Sequence, residues 1–427
     1  MTAPHPTPPT PELLAPVGGM EQLKSALRFG ADAVYGGMPR YGLRASAANF
    51  SEDELPRATA LAHEYGKPFY VTLNLLPLDG DMAGYLQAAR EAQAAGADAA
   101  IVSDIGAALM LHEELPTLPL HISTQANVLN TRTALHYHTA VGATRIVLAR
   151  EVDLPSIRQM RDSLPPSLAL EAFVHGAMCV AYSGRCLLSA ALTGRSANRG
   201  ECAQPCRWQY AVSEEKRPGQ TLPVVESEHG TYLFSAYDLC MLPYLPELLN
   251  AGVSSLKIEG RMKTAYYVAT VVSAYRQALD TLLQQGEDAY RAQIPALMAE
   301  LQKASHRKSN TGFYFGAPQP AAGAAGCEQS MEFVAQVTVG AEAGELATVM
   351  VKNRFCLGDA LEVLAPQGSR AYTVAAMTLA DSGEPVQTVT VAGTLIHLRF
   401  PFAVSEGDIL RGENRNHRKR EPVPETC

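Results

Sequence analysis

A short unit recurs along the first two-thirds of this chain: an apolar strand, an amphipathic helix, a glycine and the next strand. Its first copy is ELLAPVGGMEQLKSALRFGADAVYGG (residues 12–37), where Leu23, Ala26 and Leu27 recur at helical spacing and Gly30 stops the helix. The segments AHEYGKPFYVTLN, AQAAGADAAIVSD, ELPTLPLHISTQ, TAVGATRIVLARE, SLPPSLALEAFVHG and NAGVSSLKIEG repeat the pattern. Strands are expected near Leu13, Val34, Val71, Ile101, Ile122, Val147, Phe173 and Ile258, eight in all. Eight strands alternating with helices define an α/β chain and favour a closed TIM-like (β/α)8 barrel over an open doubly wound sheet.

One spacing breaks the rhythm. About 80 residues separate the seventh strand from the eighth, and a cysteine-rich stretch lies inside that gap. The insertion is assigned to residues 177–235, within a barrel domain spanning 12–317. Because it follows a strand end, it belongs at the C-terminal mouth, where such barrels place their sites. PQPAAGAAG marks a linker, 318–330, and from about Met331 the chain alternates in period two with glycine-containing turns. Residues 331–412 therefore read as a small all-β domain, expected to be a β-barrel, followed by a basic and proline-rich tail, 413–427.

Period two also sorts the barrel strands. Glu171, Phe173 and His175 share one face of ALEAFVHG while Leu170, Ala172 and Val174 share the other. Lys257 and Glu259 oppose Leu256 and Ile258, Thr72 and Asn74 oppose Val71 and Leu73, and His121, Ser123 and Gln125 form one set. With the apolar sets facing the helices, the barrel interior is polar. That suits a charged or hydroxylated ligand, or a self-satisfied network such as a Lys257–Glu259 ion pair.

Composition sets outer limits. At 47% apolar and 18% charged residues the chain has ample material for a core. The opening MTAPHPTPPTP lacks the basic and apolar regions of a signal peptide and reads as a disordered tail, residues 1–11. No apolar run approaches a bilayer span, so no membrane partner is expected and the cytoplasm is the expected location. A net charge of −8 argues against a generally cationic nucleic-acid binder but not against a local basic patch.

Five of the eight cysteines fall between Cys179 and Cys240. Clustering of this kind in a cytoplasmic chain points to metal or catalysis rather than disulfides. Cys179, Cys186, Cys202 and Cys206 follow C-x6-C-x15-C-x3-C, and Cys240 comes later. Structural zinc usually shows two close-spaced knuckles, and only CAQPC resembles one, so an iron–sulfur cluster held by separate loops is favoured over zinc. Arg185, Arg195, Arg199 and Arg207 are interleaved with these cysteines. They suit thiolate stabilisation or nucleic-acid phosphates, with Trp208 and Tyr210 nearby for base stacking, or plain surface charge. Neither HExxH nor GxSxG occurs, and a lone Cys179–His175 pair gives no reason for so many further cysteines, which leaves a protease the weakest reading.

The stretch EAFVHGAMCVAYSGRCLLSAALTGRSANRGECAQPCRW closely resembles the collagenase-like peptidases of family U32, as do STQANVLN, VLAREV, GVSSLKIEGRMK and KNRFCLGDALEVLAPQG. The match is closest to the family's tRNA hydroxylation branch. This resemblance implies oxygen-independent formation of 5-hydroxyuridine at the tRNA wobble position, a 4Fe–4S cluster, and prephenate as oxygen donor. It implies Cys179 and Cys186 as two cluster ligands and Cys202 and Cys206 as the remaining pair, with Cys240 as an alternate. Prephenate is a dicarboxylate, and Arg44, Arg150, Arg261 and Lys263 stand just beyond strand ends as its candidate partners. Glu171 and His175 are the candidates for moving protons. Partners implied are tRNA and a homo- or hetero-oligomer with a paralogue. Ribosomal RNA, a quinone precursor, or a non-catalytic RNA-binding scaffold with a structural cluster are the alternatives.

Overall fold

The structure, a computed structural model, describes residues 10–44, 48–208, 226–227, 230–231, 237–316 and 327–414. Most of the linker and both tails lie outside these residues, as do Tyr210 and much of the second half of the insertion. All eight expected strands are present: β1 Glu12–Pro16, β2 Ala33–Gly37, β3 Phe69–Leu73, β4 Ala99–Val102, β5 Leu120–Ile122, β6 Arg145–Val147, β7 Ala169–Ala177 and β8 Ser255–Ile258. Each pairs in parallel with the next, and β8 pairs with both β7 and β1, which closes the barrel.

The recurring Gly-Ala-Asp shows how the sequence makes these junctions. Gly30 and Gly96 take φ of +100° and +88°, open to glycine and costly for other residues, and so turn the chain out of its helix. The aspartate two residues on then ties neighbouring strands together. Asp32 accepts from the Leu13 amide at 3.0 Å, and Asp98 accepts from the Phe69 amide at 2.7 Å. Leu13, Val34, Val71, Ala100 and Ile122 are buried in one core between strands and helices.

Strand β7 departs from simple alternation. Lys257 pairs with Phe173 but Ile258 pairs with His175, so Val174 is an extra residue, a bulge. Beyond it, β7 gains an antiparallel partner, Asp238–Cys240, with Ala177 opposite Asp238. That strand pairs in turn with Ser309–Asn310. Gly176 is required here: its φ is +104°, and a Cβ would lie 2.5 Å from the Glu259 carbonyl oxygen.

After β8 come two helices, Ala265–Gln285 and Glu287–Leu301, and then the second domain. Its seven-stranded antiparallel sheet has no ladder between its two edge strands, Gly368–Thr373 and Thr378–Leu379, among the described residues. The domain is fastened to the barrel domain through Arg411. This fully buried side chain meets Glu362 at 2.6 Å and, across the boundary, Glu300 at 2.5 Å. Tyr266 stacks on Phe333 beside it, centroids 5.9 Å apart. No helix among the described residues is long and apolar enough to cross a membrane.

Candidate functional site

The polar face of the strands turns inward as period two requires, and it forms two levels. At the N-terminal floor, Arg145 donates to Glu12 at 2.6 Å and to Glu171 at 2.9 Å, and Lys257 donates to Glu171 at 2.6 Å. Burial raises the Glu171 carboxyl, but Lys257 and Arg145 more than offset it and hold the group at about 2. The partner of Lys257 is thus Glu171, not the expected Glu259. Glu171 is fixed as a carboxylate in a buried ion network, and Arg145 and Glu12, which complete it, were not among the sequence candidates. Their signal was period-two phase at the first residue of β6 and of β1.

The upper level lies at the mouth, around a cavity of about 40 Å³ lined by Arg44, Arg150, Arg261, Gln125, Ser123 and Glu259 among others. The four cationic candidates separate here. Arg261 is committed to the scaffold: it donates to the Leu43 carbonyl and to Thr72 Oγ1, each at 2.9 Å, and to Asn49 Oδ1. Burial lowers its guanidinium to about 10. Gly37 makes room for it, since a Cβ there would lie 2.1 Å from Arg261 Nη2. Lys263 bonds instead to the Ser305 carbonyl at 3.1 Å and does not line the cavity. Arg44 stands 3.5 Å from Glu259, whose charge is the main reason its pKa is raised. Arg150 is 8% exposed and lies over the Phe173 ring at 4.3 Å, and its Nε and Nη1 have no hydrogen-bond partner among the described residues. A buried guanidinium with two open donors is suited to a carboxylate.

The cysteine-bearing insertion lies over this mouth and is tied to three of the strand-to-helix loops. The Ser183 amide donates to Glu151 at 2.8 Å, the Leu76 amide to the Asn198 carbonyl at 3.1 Å, and Arg199 to Asp81 at 2.7 Å. Gly184, at φ +71°, rests directly on Gln125; a Cβ would sit 2.0 Å from the Gln125 carbonyl oxygen.

Cys179, Cys186, Cys202 and Cys206 are all free, and Cys206 lies close enough to the other three to feel their charge. Burial pushes the Cys206 thiol up, Arg207 pulls it back, and Cys179, Cys202 and Cys186 each add a further push. Arg44 feels Cys179 and Cys202, which joins the thiols electrostatically to the cavity. No three His, Cys, Asp or Glu side chains among the described residues are grouped tightly enough to hold one metal ion.

Two expected members lie elsewhere. Cys240 is buried against Tyr275, 4.0 Å from its hydroxyl, and against the Met298 sulfur at 3.8 Å. His175 does not share the face of Glu171, because the bulge at Val174 breaks the alternation between them. It packs against Tyr275 and Tyr267 of the helix Ala265–Gln285, where burial lowers its pKa to about 4. His175 and Cys240 border a different cavity of about 540 Å³, beside the buried Asp238–Arg307 ion pair.

Residues 18–323 match the model of Peptidase family U32, and residues 329–411 match that of the Peptidase family U32 C-terminal domain. The chain is 34% identical to tRNA hydroxylation protein P of Escherichia coli, over 92% of this chain and 94% of that one. It is 36% identical to tRNA hydroxylation protein P1 of Bacillus subtilis, over 84% of each. A 23S rRNA 5-hydroxycytidine synthase of Escherichia coli is 35% identical over 85% of this chain but only 54% of its own length. With both of its domains matched in order, the chain belongs to peptidase family U32.

Proposed function

We propose that this chain is an RNA hydroxylase acting on tRNA, converting a uridine C5–H to C5–OH at the wobble position. The observation that carries the reading is the placement of four free thiols over a barrel mouth that holds the open donors of Arg150. The relatives named for tRNA hydroxylation support it. Ribosomal RNA is the second substrate considered, and the alignment favours tRNA: it spans 94% of the tRNA-related protein and 54% of the rRNA-related one.

The donor set of Cys179, Cys186, Cys202 and Cys206 suits a 4Fe–4S cluster. A cubane takes one thiolate at each iron corner, which needs wider spacing than the four ligands of a single zinc. These thiols come from separate turns of one insertion, and Cys206 feels the charge of the other three. A bound cluster supplies one-electron transfer.

The hydroxylation adds an oxygen atom and withdraws two electrons, so it requires an oxygen source and a separate two-electron acceptor as well as RNA; prephenate is the oxygen source proposed, and an external redox partner would take the two electrons. Arg150, with Arg44 beside it, would take a carboxylate of this dicarboxylate in the mouth. The cavity of about 40 Å³ between these arginines is where the carboxylate end of the donor would sit. Arg261 holds the rim in shape.

The test is deletion of the gene followed by mass spectrometry of tRNA nucleosides. Loss of 5-hydroxyuridine and its derivatives, restored by the wild-type gene and not by Arg150→Ala, is the expected result. Unchanged nucleosides in a strain without a paralogue would overturn the assignment.

A further inference from the structure

The inner side of the insertion is spent on the barrel, but its outer side is not. Tyr182 is 60% exposed and Trp208 44% exposed, and Leu187 and Leu192 are exposed with them. Tyr182 falls between Cys179 and Cys186, and Trp208 two residues after Cys206, so both aromatic rings belong to the loops that carry the thiols. Large apolar side chains left in water in one short segment mark a binding surface more often than they mark nothing.

Charge says what kind. Residues 177–208 contain four arginines, Arg185, Arg195, Arg199 and Arg207, against one acid, Glu201, in a chain whose net charge is −8. Arg199 is spent on Asp81. Arg185 and Arg195 are exposed and make no ion pair among the described residues. Exposed aromatic faces beside uncommitted arginines are the combination that holds unpaired nucleotides, bases on the rings and phosphates on the guanidiniums.

We propose that this outer face of the insertion docks a single-stranded loop of the RNA substrate, with Tyr182 and Trp208 as base-stacking platforms and Arg185 and Arg195 as phosphate contacts. The proposal rests on the RNA-hydroxylase reading and adds to it where the RNA lies and in what form. A duplex is disfavoured because its bases are already stacked and offer the rings no free face. A protein partner would also cover the apolar residues, but the local excess of positive charge in an acidic chain favours a polyanion.

The test compares binding of an anticodon stem-loop RNA with a fully paired RNA of equal length, using the full chain purified without oxygen. The wild type is expected to prefer the stem-loop. Tyr182→Ala with Trp208→Ala should weaken stem-loop binding roughly tenfold or more, as loss of base stacking does. Arg195→Glu, seven residues along the chain from the nearest cysteine, should weaken it and lower the salt dependence by about one counterion. Both variants should keep the wild-type circular dichroism and melting temperature. Undiminished RNA binding in both variants overturns the docking surface and leaves the hydroxylase reading intact. Wild-type protein that binds no RNA overturns that reading and the surface with it. If the variants instead lose only self-association, the face is a protein interface and the proposal fails.

Discussion

Lys257 Nζ lies 2.6 Å from Glu171 Oε1, with both side chains sealed inside the barrel. Arg145 approaches the other oxygen of the same carboxylate at 2.9 Å. Breaking such a network by removing one charge is expensive, because the partners stay buried and uncompensated. Glu171→Gln should cost about 3–5 kcal/mol of stability by denaturant unfolding. The contribution is present above the ordinary carboxylate range near 4.5 and is lost as pH falls from there toward about 2. A Glu171→Gln protein of wild-type stability would show that the floor of the barrel is wet and screened.

His175 sets a second acid-sensitive window. Burial holds it neutral down to about 4, whereas the unfolded chain takes up a proton near 6.5. The unfolded state therefore binds more protons between these values, and stability should fall as pH drops from about 6.5 to about 4. His175→Gln should reduce the slope of that limb, which the buried His121 shares, while leaving the steeper loss below it. Thermal unfolding at pH 7, 5.5, 4.5 and 3 measures both.

The five clustered cysteines should divide four to one. Cys206→Ala should abolish iron and acid-labile sulfide in protein purified without oxygen, whereas Cys240→Ala should retain both. Cys240 fills a gap between Tyr275 and Met298, so its removal should cost about 1 kcal/mol through lost packing. Iron loss in Cys240→Ala with the fold intact would return that residue to the ligand set.

Gly184 tests how closely the insertion must sit on the mouth. Alanine there meets both an unfavourable φ of +71° and the Gln125 carbonyl. The loop must lift, and since misplacement by about 1 Å can cost roughly 100-fold in rate, Gly184→Ala should lower tRNA hydroxylation by that order. The melting temperature of the barrel should change little. Wild-type 5-hydroxyuridine levels in this variant would mean that the insertion moves freely.

The barrel was legible because its signal is local. Glycine at helix ends, aspartate at strand starts and apolar phase in period two occur within each unit and need no distant partner. Thr72, Ser123, Gln125 and Lys257 could be turned inward on phase alone. His175 could not be placed, because the bulge at Val174 depends on how β8 pairs with β7, a relation between residues some 80 positions apart. Arg261 and Arg150 looked alike in the sequence. Only the fold shows that Asn49, Thr72 and Leu43 accept from one guanidinium, whereas no described residue accepts from Nε or Nη1 of the other. The strand Asp238–Cys240 was missed for a similar reason: three residues carry no period, and it exists through its pairing with β7.

That pairing has a consequence for how the fold can change. Ala177 and Asp238 face one another across an antiparallel ladder, so everything between them leaves and re-enters the barrel at a single point. The thiol-bearing segment is in effect a cassette spliced into a hairpin. It can be lengthened, trimmed or exchanged without altering the register of any barrel strand, and the cost in loop closure rises only slowly with its length. A barrel of this design can keep its arginine-lined mouth constant while the segment that covers it is replaced as one cassette.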